Sequence, residues 1–597
     1  MPAGALGLIP LLLVVAADVW VYVDAKARQG TRREVSVTVG SMEIATPQAW
    51  LLWCAVLFLV SFPVYRWRAG RPRSGGAPPV VAPQQLPHRG ASPWVAWDAP
   101  GSVTPIELKE EPMARVVILG AGIAGHTAAL HLRRMLAREH EVVVVSPSAQ
   151  WNWIPSNIWV GVGRMSADKV VFPLAPVYRR LGIDFHQALA TTIFPEGTAD
   201  DPRPQVEASS TRSETRGAIE RIGYDYLINA TGPKLNFAAT PGLGPEANSL
   251  SVCTASHAAA TSAVFADLIA AMKRGEHKTI VIGTGHGMCT CEGAAFEYTF
   301  NVEHELRAHG VRDKAELVYL SNEYDLGDFG VGGMSFTQMG YTMSSKTWTE
   351  SLFRERGVKA ILRAHVQRVE PGMLTYEQLD GSEHSLAFDF AMLLPPFRGA
   401  DLKAYDRAGA DVTDRLFAPS GLTKVDADYT PKPYDQWSAD DWPTTYRNPS
   451  YPNVFAPGIA FAPPHQISAP HTSPNGTVIT PAPPRTGMPS GIMAKAVALT
   501  IKDLIERGEQ AQPHKASMAA MGAACVASAG TGLTRGSAAS MTMFPVVPDW
   551  RRYPATGRDV RGTSGELGLA GHWIKAMLHY LFLYKAKARP LWFLIPE

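Results

Sequence analysis

Two groups of residues in this chain have the types and the spacing to do chemistry. The first is Gly120, Gly122 and Gly125, set in RVVILGAGIAGHTAALHLRRMLAREHEVVVVS over residues 115–146. Glycines in G-x-G-x-x-G spacing let a backbone approach a pyrophosphate when a strand precedes them and a helix follows. The second group is cysteine. Cys289 and Cys291 form a C-x-C, and Cys253 lies upstream of them. A thiolate is a nucleophile and a two-electron redox group, so these positions are candidates for sulfur chemistry. The plain alternative is inert, buried thiols. Counting Cys54 and Cys525, five cysteines in 597 residues are too few for a disulfide framework.

The elements around the glycines have the required order. Residues 116–119 are apolar β-formers, a helical run follows Gly125, and 142–145 is a second apolar strand. Gly120 permits the tight turn, Gly122, next to Ala121, faces the phosphates, and Gly125 lets helix and strand close on each other. The pyrophosphate then meets the positive end of a helix. Ser146 closes the second strand where an acidic residue would usually hold the ribose, leaving a hydroxyl as a weaker anchor. Two later strands end as cofactor-returning strands do: YDYLINATG at Ala230, Thr231 and Gly232, and VFAPGIAFA at Gly458. Arg485, Thr486 and Gly487 precede a helix over 487–505, where a positive charge and a helix dipole could face a reduced, anionic flavin. The aromatic stretch WNWIPSNIWVGVG, with Ser156 and Asn157, reads as a wall beside a flat cofactor ring. A hairpin is expected with Asp380-Gly381 at its turn.

TIVIGTGHGMCTCEGAAFE, residues 279–297, opens like a second fingerprint with Gly283 and Gly285. Met288 stands at the third glycine position, so a degenerate nucleotide site is expected there. Cys291 precedes a helical run, and helix-start N–H groups are expected to favour its thiolate.

Net charge of +2 gives no reason to expect nucleic acid. The length exceeds one ordinary domain. Residues 4–23 and 49–65 read as a two-span membrane hairpin. Basic residues flank both sides of the second span equally. Loading of a cofactor in the cytoplasm favours a multi-pass cell-membrane anchor with a cytoplasm-facing domain. GHWIKAMLHYLFLYKAKARPLWFLIPE, 571–597, has the composition of a helix lying on a membrane surface, with Lys575, Lys585, Lys587 and Arg589 as its basic residues. Cys525 lies in a Gly/Ala/Ser-rich segment without a motif and is expected to be dispensable. The expected organisation is α/β: a hairpin over 1–68, a Pro/Gly-rich linker over 69–113, a first Rossmann-like domain over 114–250 and again 374–510, a second, degenerate one over 251–373, and an amphipathic membrane-docking region over 511–597.

From 115 onward the chain resembles the sulfide:quinone oxidoreductases, flavoproteins of the pyridine nucleotide–disulfide reductase superfamily. The carriers are the fingerprint, PSNIWVGVG, ATGPKLNF, SVCTASHA, CEGAAFEY, FGVGGM, LLPPFRG and PRTG. The resemblance implies two Rossmann-type domains, one FAD, a sulfide donor and a membrane quinone as acceptor, with the bilayer as a partner and no metal. It implies that Cys253 lies near the flavin and that Cys291 is the redox cysteine of the sulfide side. It also implies that His257 and Glu297 belong to the sulfide pocket, and that Arg485 contacts the flavin where the family has a lysine. The sequence departs from the family in two places. No second redox cysteine falls in 454–485, which holds His465 and His471 instead, and Asp328 lies near FGVGGM where a histidine is expected. Cys289 is the candidate replacement for the missing thiol. The rival functions are an NADH:quinone-type flavoprotein, against which Met288 argues, and an FAD-holding membrane scaffold without turnover.

Overall fold

The computed structural model describes residues 113–338 and 341–597, together with an antiparallel strand pair, Val37–Val39 and Met42–Ile44. Both expected membrane spans and the linker lie outside the described residues. Residues 112–597 form one compact unit.

Within that unit two parallel sheets share one topology. In the first, Arg115–Leu119 sits between Glu141–Val145 and Tyr226–Asn229; Asp184–His186 and Val454–Phe455 complete the edges. In the second, Lys278–Thr284 sits between Ala315–Leu320 and Phe390–Leu394, with Val358–Ile361 outside. The near-continuous apolar runs fit this placement. Val116, Val117, Ile118 and Leu119 are fully buried, as are Ile280, Val281 and Ile282, because parallel strands are covered on both faces. The last strand of the second sheet lies beyond residue 373, where the expected domain ended. The hairpin around Asp380-Gly381 forms from Met373–Gln378 and Glu383–Ala387.

Helix Ile123–Met135 follows the first strand and ends in Arg133 and Arg134, which suit the negative pole of its dipole. Helix Glu292–Ala308 is its counterpart in the second sheet. Helix Gly487–Arg507 packs on the fingerprint helix. Ala255–Lys273 is the one described helix long and apolar enough to cross a membrane. One face of it packs on the fold, with Phe265 5.9 Å from Phe390, ring to ring, and the opposite face, with Val264 and Asp267, is exposed.

The Gly/Ala/Ser-rich segment builds an antiparallel sheet, Ala523–Thr531, Arg535–Met543 and Ser564–Gly568. Its small residues have a packing cause. A Cβ at Gly536 would fall 2.2 Å from the His572 ring, and one at Gly293 would fall 3.0 Å from Cys525 Sγ. The sheet therefore lies close to both helix Glu292–Ala308 and helix Leu569–Ala586. Cys525 is packed against the first turn of the helix that Cys291 precedes, so it is not remote from the candidate sulfur chemistry.

The C-terminal helix Leu569–Ala586 has its polarity inverted. His572, Lys575, His579 and Lys585 point into the protein, where Lys575 pairs with Glu297 at 3.0 Å and Lys585 with Glu597 at 2.6 Å. Trp573, Ile574, Tyr580 and Tyr584 are exposed, as are Leu591 and Leu594 beyond it. Lys575 and Lys585 are thus not the outward basic residues expected from composition; burial with an anionic partner satisfies them instead. The chain end is tied to the fingerprint helix, where His126 hydrogen-bonds the Ala586 carbonyl at 2.7 Å and His131 meets Glu597 at 2.6 Å.

Candidate functional site

The fingerprint turn is a cradle with one open wall. Gly120 has φ +92, and a Cβ there would lie 2.3 Å from the Ala230 carbonyl oxygen; one at Gly125 would lie 2.0 Å from the Gly120 oxygen. At Gly122, the N-cap of the helix, a Cβ would meet nothing within 4 Å. Two glycines are therefore required by protein backbone and the third by space, as phosphate approach to a helix start demands. No acidic residue stands in the first turn. Ala121 is buried beside them.

Distant segments converge on this turn. Ala230 donates its N–H to the Leu119 carbonyl at 2.8 Å, Thr231 is held by Asn229, and Gly232 turns with φ +69. A Cβ at Gly458 would lie 2.7 Å from the Ala124 Cβ, and one at Gly487 3.0 Å from Ile123 Cδ1. Thr486 caps the long helix, yet its Oγ1 is buried without a hydrogen-bond partner. An orphaned hydroxyl at a helix start, beside an open phosphate cradle, fits a bound dinucleotide such as FAD. Ser146 Oγ donates to the Ser148 carbonyl at 3.3 Å. Ser156 bonds His579 at 2.9 Å, and Asn157 exchanges amide bonds with Asn152. Polar groups of Ser156 and Asn157 are thus committed to protein partners, against the reading of that stretch as an open cofactor wall.

The second sheet ends differently. A Cβ at Gly283 would lie 1.7 Å from the Leu320 oxygen, and one at Gly285 2.6 Å from Leu243 Cδ1. Leu243 fills the space that lies open at Gly122. The His286 and His365 rings stand 4.6 Å apart over the next turn. Helix Glu292–Ala308 then starts only after residues 285–291, with buried Glu292 in its first turn. The degenerate nucleotide site expected here is closed by the protein's own side chains.

That longer loop carries the thiols. Cys289 is fully buried, and its Sγ–H donates to the Leu394 carbonyl at 3.0 Å. Cys291 is the helix N-cap, in the left-handed region at φ 72. Burial pushes its thiol up to about 12, followed by the effects of Glu292 and Cys253, while Arg485 opposes them. The expected thiolate character does not result, because desolvation and a neighbouring acid outweigh the helix start. Cys253 is pushed up to about 11, also by burial. Arg485 is half-buried, donates to the Phe461 carbonyl at 3.3 Å and is lowered to about 10 by desolvation, with Cys291 opposing that shift.

His257 lies in the first turn after Thr254, with Nδ1 buried and unpartnered. Glu297 is engaged by Lys575 and faces the C-terminal layer. Burial raises its carboxyl above the ordinary range, with Lys575 opposing. His465 stacks on Trp437 and the His471 ring leans at 37° on Tyr324, so both serve the packing of their loop. Asp328 accepts from Gly330 N and from Ser468. Sequence reasoning missed Glu292, Asn322 and Glu323, all fully buried behind the thiol loop. The available signal was a glutamate directly after the candidate redox cysteine. Among the described residues no cluster of His, Cys, Asp or Glu is arranged for a metal.

Residues 114–395 match the family described as pyridine nucleotide-disulphide oxidoreductase. The chain is similar to the sulfide-quinone reductase of Aquifex aeolicus (strain VF5), 28% identical over 79% of this chain and 91% of that one. A solved structure of sulfide:quinone oxidoreductase from the same bacterium is 26% identical, covers 80% of this chain and 92% of its own, and superposes with a TM-score of 0.61. NDH2 from Plasmodium falciparum, 12% identical over 81% of this chain and 97% of its own with a TM-score of 0.53, shares the fold alone.

Proposed function

We propose that this chain, a relative of the sulfide-quinone reductases on the pyridine nucleotide-disulphide oxidoreductase fold, is an FAD-dependent oxidoreductase passing electrons from sulfide to a membrane quinone. One observation carries the reading: residues 482–487 tie the thiol loop to the cofactor cradle. Ala482 N donates to the Cys289 carbonyl at 2.8 Å, and Thr290 Oγ1 donates to the Pro483 carbonyl at 2.9 Å. At the other end Gly487 abuts Ile123 of the fingerprint helix. Gly120, Gly122 and Gly125, with Ala230–Gly232, Gly458 and Thr486–Gly487, would hold FAD, which supplies two-electron acceptance and transfer to quinone when bound. Arg485 places a guanidinium near Cys291, where it favours negative charge on sulfur or on the ring. Cys291 takes the sulfide sulfur, Cys289 serves as its partner thiol, and Cys253 borders the same pocket. His257 is assigned to proton handling on that side, whereas Glu297, paired with Lys575 at the C-terminal layer, is not.

The quinone must be met at lipid. The outward face of Trp573, Ile574, Tyr580, Tyr584, Leu591 and Leu594 supports docking of the C-terminus on a bilayer, since an apolar outer face and a polar inner one reverse the soluble pattern. Residues 1–68 are assigned as an anchor, with the globular part on the cytoplasmic side. The test is anaerobic titration of purified, FAD-loaded protein with sulfide and, separately, NADH. Sulfide should bleach the flavin band and a soluble quinone should restore it, while NADH should leave it unchanged. Bleaching by NADH but not by sulfide would overturn the reading.

A further inference from the structure

A narrow slot lies between residues 458–463 and 483–493, with Trp442 and Met518 completing its walls. Its volume is about 10 Å³, room for one water-sized group and too little for a ring or a phosphate. Four polar side chains border it. Two are committed: Arg485 donates to the Phe461 carbonyl at 3.3 Å, and Ser490 Oγ donates to the Thr486 carbonyl at 2.8 Å. The other two are not. Trp442 Nε1 and Thr486 Oγ1 are shut off from solvent and have no hydrogen-bond partner. Among the described residues four indole N–H groups are orphaned in this way, those of Trp151, Trp348, Trp437 and Trp442, and of these only Trp442 borders the slot.

Trp442 is 1% exposed, and its place is fixed. It follows the turn Ala439–Asp441, which the Ser438–Asp441 capping box closes, and its own N–H donates to the Ala439 carbonyl at 3.3 Å. Just beyond it the Asp426 carboxylate accepts from the backbone N–H groups of Thr444, Thr445 and Tyr446 at 3.0, 2.8 and 2.6 Å. The indole meets the Phe461 ring edge to face at 6.4 Å, and the Arg485 guanidinium lies 5.8 Å from the centre of that same ring. An indole held on both sides cannot turn away to find a partner elsewhere, so its N–H carries the cost of burial until something enters the slot.

What enters must accept. An indole N–H only donates, and the Thr486 hydroxyl has a proton to give. A carbonyl oxygen takes both bonds and needs none in return. A water would bring two hydrogens of its own to the apolar side chains of Phe461, Pro483, Met493 and Met518, which offer no acceptor. Gly458 and Thr486 border the slot and the cofactor cradle alike, for a Cβ at Gly458 would lie 2.7 Å from the Ala124 Cβ on the fingerprint helix. We propose that Trp442 is a cofactor-binding residue, its indole N–H donating to a carbonyl oxygen of the flavin ring and so favouring the reduced, anionic ring over the oxidised one. The inference rests on the reading that the cradle holds FAD. Added negative charge on the ring spreads onto its carbonyl oxygens, so a fixed donor there binds the reduced form more strongly, and Arg485 beside it acts in the same sense.

The test uses the full-length, FAD-loaded protein, Trp442→Phe, which keeps an aromatic ring and removes the N–H, and Trp348→Phe, which removes an equally orphaned N–H away from the slot. Flavin content is measured first; wild-type protein without flavin overturns the FAD reading itself. Where flavin is bound, equilibrium with redox dyes should show the reduced-to-oxidised ratio of Trp442→Phe lowered on the order of tenfold, about 30 mV for a two-electron couple, and that of Trp348→Phe unchanged. A second measurement needs no variant. In wild-type holoprotein labelled with 15N in its indoles, reducing the flavin should move an indole N–H signal downfield, and that signal should be missing from Trp442→Phe. A potential equal to that of the wild type, or no indole signal that moves, overturns the inference. An unchanged potential with a raised KM for a soluble quinone would give the slot to a quinone carbonyl and likewise overturn the assignment to flavin.

Discussion

The two parallel sheets have the same strand order but different turns at the same place. In the first, residues 120–122 lead straight into helix Ile123–Met135, and space stands open above Gly122. In the second, residues 285–291 intervene, Leu243 closes over Gly285, and an acid rather than an open cap begins the helix. A Rossmann unit always brings a helix start to the carboxyl end of its central strand. The sequence of the turn decides what that helix start faces. A short glycine turn offers it to a pyrophosphate, while a longer one carries two thiols and a buried carboxyl. Two sheets of like strand order thus present one open glycine turn and one closed turn that carries thiols, and residues 482–487 join them.

The sharpest way to break this comparison is to remove the thiol. Cys291→Ser should reduce sulfide-driven flavin reduction by on the order of 10⁴-fold or more while leaving FAD bound, as loss of a nucleophile does elsewhere. A variant that retains wild-type turnover would take the sulfur chemistry away from the second turn. Cys525→Ser is the companion. Cys525 packs at Gly293, so a loss of turnover comparable to that of Cys291→Ser would make Cys525, not Cys289, the partner sulfur.

The next test acts on the cradle. A side chain at Gly122 would occupy the space reserved for phosphate without touching protein, so Gly122→Val should yield a folded chain that is purified without flavin. Gly285→Ala pushes against Leu243 instead and should lower the melting temperature while the flavin content stays at that of the wild type. Flavin lost equally in both would mean that the two turns do the same work.

Legibility in the sequence followed the same division. The fingerprint, the returning strands at Ala230–Gly232 and Gly458, and the helix after Thr486 could be read because glycine at a backbone-crowded turn is a local signal. Met288 likewise signalled a broken second site. Leu243 could not be read, since it reaches Gly285 from a distant loop. Nor could the buried acids, because only the packing of Glu323 against Tyr319 and Ser321 shows which carboxyl keeps its donors. The C-terminal helix was readable as amphipathic, but which face met the protein was not. His572, Lys575 and His579 turn inward only because Ser528, Glu297 and Ser156 wait there.

A smaller effect should come from emptying the second turn. Leu243 is 4% exposed and fills the approach to Gly285. Leu243→Ala should cost about 2–5 kcal/mol of stability in denaturant unfolding, as other buried leucines do. NADH should still fail to bleach the flavin, because Glu292 and the His286–His365 pair remain at the turn. Bleaching by NADH in this variant would show that Leu243 alone separates the second sheet from a working nucleotide site.

The smallest effect separates the two halves by pH. Glu323, in the second half, is raised by burial to about 7 from an ordinary 4.5, with its hydrogen bonds opposing the rise. Between those values the folded state holds the Glu323 proton and the unfolded state releases it. Its contribution to stability is therefore fully present below about 4.5 and is lost as pH rises through 7. His126, on the fingerprint helix, runs the other way. Burial lowers it from 6.5 to about 4, so its contribution is present above 6.5 and is lost as pH falls through 4. The two slopes oppose each other in the intact protein, and a single melting curve would show little. Comparison with Glu323→Gln isolates one of them: the stability gap between wild type and variant should shift against the wild type by on the order of 1–3 kcal/mol from pH 5 to pH 8. A gap that stays constant would mean that Glu323 is ionised at both pH values. In that case the donors on the Glu323 carboxylate, from Tyr319, Ser321, Gly327 and Phe329, outweigh the cost of burying its charge.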